Sequence, residues 1–222
     1  MNGAIYSEQI IIVFLFSCQY NEGMENINYS EIEEQRPGRN KETLVNHTYI
    51  NSGSYRNKFD LITSNTQLSR LLYGLAKEML FHRAGTKYED MYWIDANTFE
   101  IVAKETECPI EKKIIYSDKT IKAIEGRTDL ITVHSHPDSF PPSIDDINAN
   151  FDHNYMVGIV LCHNGKVYLY SANESIEVRY YNMVVERFLK QGYNEDEAQI
   201  ATLQRLQENF DITFKEVTDY DV

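Results

Sequence analysis

The clearest periodicity starts at Asn65. Apolar residues recur at three and four (Leu68, Leu71, Leu72, Leu75, Met79, Leu80), one stripe of an amphipathic helix that Asn65 can cap and Gly85 can end. Gly74 lies inside this stripe and costs propensity without breaking it. After Glu89 the period shortens to that of strands. Residues 91–95 and 99–104 flank Ala96-Asn97-Thr98, a candidate hairpin turn. Residues 117–124 read as a short helix, with Ser117 as its cap and Gly126 after it. The run Leu130-Ile131-Thr132-Val133 is a further strand, and Ser143 opens the next helix. Residues 155–162 and 166–170 are joined through His163-Asn164-Gly165, where Asn-Gly signals a hairpin and accounts for His163 as a turn-flanking residue.

The C-terminal part predicts two helices and a strand. Residues 175–190 place Ile176, Tyr180, Met183, Val184 and Phe188 on one face, ended by Gly192. Asn194 caps a second helix to about residue 209 with Ile200, Leu203 and Leu206 inward, and residues 212–217 form a last strand. The resulting alternation predicts an α/β protein, a sandwich of helices around one mixed sheet with added helices at both ends.

Residues 19–48 show no such period. They are polar, acid-rich and marked by Arg36-Pro37-Gly38, so residues 1–48 are read as a poorly structured extension and 49–222 as the folded domain. Within the extension, residues 10–16 are apolar and run into Ser17-Cys18. Only Glu8 is charged before them, which is not the positive start of a secretory signal, and the run is too short to span a bilayer. It reads as a short packed element or an artefactual start of the reading frame, and no membrane partner is expected.

Composition narrows the function classes. The 222 residues are 42% apolar and 12% aromatic, which supports a real core. A net charge of -13 speaks against nucleic acid, whose phosphates want an excess of Lys and Arg. Cys18, Cys108 and Cys162 are odd in number and scattered, so they suggest no disulfide framework and are consistent with a reducing cytoplasm.

Candidate chemistry concentrates in residues 130–150. On a strand, His134 and His136 point to one face, and Pro137 then ends the ladder. Ser143 stands where an N-cap belongs, with Asp146 three residues on. Two imidazoles and one carboxylate suit a catalytic zinc with one position left open, more than calcium or magnesium, which prefer oxygen shells. Ser143-x-x-Asp146 alone also fits a capping box, which needs no metal.

In this order and spacing, His134-Ser135-His136-Pro137 followed by Ser143-x-x-Asp146 resembles the JAMM motif of the JAB/MPN zinc metalloproteases, over roughly residues 85–172. The resemblance implies an α/β/α sandwich around one curved mixed sheet, and one zinc per chain held by His134, His136 and Asp146. It also implies Ser143 beside the oxyanion and an upstream Glu acting on the water that the metal activates. The gap from Pro137 to Ser143 holds five residues, where many family members have six; counting from Ser143 keeps Asp146 as ligand and leaves Asp145 as the fallback. Glu89, directly before a strand, fits the upstream base; Asp90 would point to the other face, Glu100 falls on the next strand, and Glu105 and Glu107 lie in a polar connection. His153, past the Ser143 helix, is read as a surface residue.

The implied activity is hydrolysis of an amide bond, peptide or isopeptide, with Glu89 as general base. The wording around residues 85–95 is most similar to bacterial toxin- or phage-associated JAB domains, so a phage or toxin polypeptide stands beside a ubiquitin-like protein as the substrate partner. Two other readings are a non-catalytic JAB/MPN-like scaffold and a structural zinc site. Retention of all the motif positions disfavours the first, and a ligand set of three disfavours the second.

Overall fold

The computed structural model describes residues 35–218 of the chain. Its described elements are seven helices and six strands. The helices are α1 (His47–Ile50), α2 (Gly53–Ile62), α3 (Thr66–Arg83), α4 (Asp118–Ile124), α5 (Ile144–Asp152), α6 (Val178–Lys190) and α7 (Glu195–Leu206). The strands are β1 (Met91–Asp95), β2 (Ile101–Glu105), β3 (Leu130–His136), β4 (Val157–Cys162), β5 (Val167–Ala172) and β6 (Ile212–Glu216). They form one open mixed sheet in the order β2-β1-β3-β4-β5-β6. Only the β3–β4 pairing within it is parallel. A parallel pair needs a crossover, and α5 supplies it.

Strand alternation decides what each face of the sheet packs against. Tyr92, Ile94, Ile131, Val133, Ile159 and Leu161 point one way, onto Ile50, Tyr55, Phe59, Leu72, Met79 and Leu80 of α1–α3. On the other face Val160, Cys162, Tyr168 and Tyr170 meet Ile144 and Ile147 of α5, Tyr181 of α6, and Leu203 and Leu206 of α7. Met91, Trp93 and Leu130 extend that second face against Ile124 of α4 and Tyr155. Helices therefore cover both faces, and central β3 is buried at every position. At Gly158 an added Cβ would stand 2.1 Å from Tyr170 Cζ, so the close passage of that ring requires glycine there.

Helix starts follow the cap residues. Asn65 Oδ1 accepts from the N–H groups of Gln67 and Leu68, Ser117 from Thr120, and Asn194 forms a capping box with Glu197. On β1, the Asp95 carboxylate accepts from the Asn97 and Thr98 N–H groups and tightens the hairpin turn. Phe99 then takes a φ of 62°, which delays β2 to Ile101.

Three features differ from expectation. Helices α1 and α2 precede the first expected helix, capped by Asn46 and Ser52, and α2 turns Tyr55 and Phe59 inward. Residues 35–46, part of the stretch read as a loose arm, are docked. Gly38 N–H donates to Ala84 O at 2.8 Å, Gly85 N–H donates to Thr43 O at 3.0 Å, and Val45 is buried in the core, so the ordered domain starts before Tyr49. On α6 the buried residues are Tyr181 and Val184, while Tyr180 and Met183 are exposed. The expected stripe was phased on Ile176, which is buried but precedes the first helical residue, Val178. The apolar run at 10–16 and Cys18 lie outside the described residues. Among the described residues no helix is long and apolar enough to cross a membrane.

Candidate metal centre

The end of β3 and the start of α5 build the site. In the register of the sheet Met91 faces His134 on β3, and His136 faces Cys162 on β4. His134 and His136 share the α5 face of the strand, and both are buried. After Pro137 the chain loops back so that the Phe140 carbonyl lies 2.9 Å from His136 Nδ1. Ser143 then caps α5 in a full capping box: its Oγ accepts from Asp146 N–H at 3.1 Å. In return Asp146 Oδ2 accepts from Ser143 N–H at 2.7 Å and from Ser143 Oγ–H at 2.8 Å.

The cap aims the carboxylate at the imidazoles. Asp146 Oδ1 is 3.3 Å from His134 Nε2, Oδ2 is 3.5 Å from His136 Nε2, and the two Nε2 atoms are 3.0 Å apart. The capping box and the ligand cluster are thus one structure. The fallback, Asp145, is exposed and does not join the group.

This donor set fits a divalent cation, and His134, His136 and Asp146 could hold one. A carbonyl only accepts, so His136 Nδ1 carries the hydrogen and a neutral ring turns its Nε2 lone pair to the centre. That lone pair meets a second imidazole and a carboxylate, and the positive charge these groups share is supplied by a bound cation or, in the free cluster, by a proton on His136. Ligands about 2.0–2.1 Å from a tetrahedral zinc stand about 3.3–3.5 Å apart, close to the separations found here. The same convergence sets the protonation of the free cluster. Burial draws His136 down, but Asp146, Glu89 and the Phe140 carbonyl outweigh it and lift the imidazole to about 9. Burial would raise Asp146, yet the two imidazoles hold it well below the usual carboxylate range.

Glu89 precedes β1 and shares the parity of Met91 and Trp93, which puts it on the histidine face. It is buried, and burial pushes its carboxyl above the ordinary range against the pull of His136 and His134. Asp90 turns to the opposite face. There it accepts from Arg83 Nε at 2.5 Å and contacts His82 Nδ1 at 2.8 Å, both from α3. Its main chain exchanges two hydrogen bonds with Ser135, the residue between the two histidines.

Ser143 stands in the site, and its hydroxyl donates to Asp146 Oδ2, which orients that carboxylate toward the two imidazoles. His134 Nδ1 is buried and has no hydrogen-bond partner among the described residues. His153 caps the far end of α5, stacked on Tyr155, away from the centre. A cleft of about 420 Å³ lined by Tyr116, Arg127 and His153 lies at that far end and contains none of the cluster residues. His163 does more than flank a turn: it is buried, and its Nδ1–H donates to the Thr43 carbonyl at 2.6 Å. Sequence reasoning missed the Ser135–Asp90 anchor and the Phe140 carbonyl. Alternation along His134-Ser135-His136 signals the first; the second depends on a loop path that has no sequence pattern.

In comparisons with known proteins, no family model matches the chain, no curated protein matches it, and no solved structure matches its fold.

Proposed function

We propose that this chain is a zinc-dependent metallopeptidase of the JAB/MPN type, hydrolysing a peptide or isopeptide bond. The observation that carries the reading is the convergence of His134, His136 and Asp146 with the buried Glu89 on the same face, near enough for its carboxyl to feel their charges. A buried carboxyl whose proton affinity is raised is costly as structure and useful as a base.

His134 and His136 through Nε2, and Asp146 through its carboxylate, would hold the metal. Bound zinc supplies Lewis acidity, which makes a water molecule acidic enough to react near neutral pH and polarises the amide carbonyl. Glu89 takes the proton of the attacking water, aided by the raised affinity that burial gives its carboxyl, and delivers it to the leaving amine. Ser143 keeps Asp146 oriented, and the Phe140 carbonyl fixes the tautomer of His136.

The reading is tested by incubating the zinc-loaded chain with a quenched-fluorescent peptide library and with isopeptide-linked conjugates, beside Glu89→Gln. Hydrolysis by the wild type alone supports it. A chain that binds zinc yet cleaves neither class, or a Glu89→Gln variant as active as wild type, would overturn it.

A further inference from the structure

Segment 106–117 passes the end of the sheet where the centre lies, and Lys112 within it is bonded on both sides of that centre. Its main-chain N–H donates to the Lys87 carbonyl at 2.9 Å, two residues ahead of Glu89. Its Nζ stands 2.5 Å from Asp138 Oδ2, two residues after His136. The lysine sits at φ 51°, in the left-handed region that a non-glycine residue takes at a cost, and such positions concentrate at functional sites. Next to it, Glu111 accepts from the Gln35 side chain, whose own oxygen accepts from Lys87 N–H at 3.0 Å. The flank upstream of Glu89 is therefore held at both the N–H and the carbonyl of Lys87.

Glu89 needs that support. With no hydrogen bond from another described residue to aim its carboxylate, its direction follows from the chain on either side. Downstream, Asp90 is locked by Arg83, His82 and Ser135. Upstream, the lock is Lys87, and Lys112 joins it to the loop that leaves His136.

We propose that Lys112 is a positioning residue of this centre: by tying the Lys87 carbonyl to the Asp138 carboxylate it holds Glu89 against the His134–His136–Asp146 cluster. The inference rests on the reading of Glu89 as the base. An exposed ion pair alone contributes little; here the same residue also supplies a main-chain bond to the opposite flank.

The test is amide hydrogen exchange on the zinc-loaded full chain, wild type beside Lys112→Met, Lys112→Arg and the exchange Lys112→Asp/Asp138→Lys. Lys112→Met speeds exchange over residues 86–90 and 136–140 by about fivefold, the scale of one exposed ion pair, with unchanged zinc content and melting. Lys112→Arg and the charge exchange restore protection. On a cleaved peptide, Lys112→Met lowers kcat by a similar factor and leaves KM in place. Unchanged protection on both flanks in Lys112→Met, or failure of Arg and of the charge exchange to restore it, would overturn the proposal. Loss of the Glu89 reading would show separately, as an active Glu89→Gln variant, while the exchange pattern still decides whether Lys112 braces the two flanks.

Discussion

Asp90 and Ser135 exchange two hydrogen bonds, Asp90 N–H to Ser135 Oγ at 3.0 Å and Ser135 N–H to Asp90 O at 3.1 Å. The pair extends the β1–β3 register by one residue beyond Met91 and His134. Because alternate residues face opposite ways, locking Asp90 and Ser135 to the α3 face sends Glu89, His134 and His136 together to the other. The position of the proposed base is thus fixed by a residue with no part in the chemistry.

Asp90→Ala should therefore cost much more than an exposed carboxylate would. It leaves the Arg83 guanidinium buried without its partner, and breaking such a pair typically costs about 3–5 kcal/mol. Urea unfolding should show that loss. A change under about 1 kcal/mol would mean the pair is ornamental.

Ser143 links helix and centre. Ser143→Ala removes the donor to Asp146 and the acceptor for its N–H, so stability should fall by about 1 kcal/mol and zinc affinity by about 10- to 100-fold. Asp145→Asn, on the exposed side of the same turn, should change neither. Competition with a chelator and thermal melting read both quantities. Wild-type affinity in Ser143→Ala would separate the cap from the ligand cluster.

His163 predicts the acid limb of stability. Burial depresses its pKa to about 4, against its Thr43 hydrogen bond, so between the unfolded value of about 6.5 and pH 4 the unfolded chain binds more protons. Stability contributed by the neutral ring is whole above pH 6.5 and declines as pH falls, by up to about 3 kcal/mol. His163→Asn keeps a donor for Thr43 but does not titrate, and should flatten denaturation midpoints between pH 6.5 and 4. An equal slope in the variant would place the acid sensitivity elsewhere.

Much of the fold was legible in the sequence, for reasons the residues make plain. Strongly periodic segments such as 68–80 and 130–136 report their own burial, and caps such as Asn65, Ser117 and Asn194 mark where helices start. The convergence of His134, His136 and Asp146 was legible because the three are close in sequence and the alternation of a strand plus one helical turn suffices to join them. What stayed hidden depends on distant partners. Residues 38–45 look like a polar arm until the carbonyls of Ala84 and Gly85 and the His163 ring meet them, and α2 is short and carries few apolar residues. The phase of α6 failed because one buried residue, Ile176, belongs to the chain entering the helix.

Glu89 should separate binding from turnover. Glu89→Gln keeps the proposed ligands and removes the proposed base, so zinc content should match wild type while turnover falls by about 10²- to 10⁴-fold. Loss of zinc in this variant would make Glu89 a ligand and not a base.

The central claim is that His134, His136 and Asp146 form a zinc centre, and metal content on purified protein tests it most directly. Elemental analysis after reconstitution and desalting, on wild type beside His134→Ala/His136→Ala, should give one zinc per chain and none, with both proteins folded. No zinc in the wild type, or one retained by the double variant, would contradict the account.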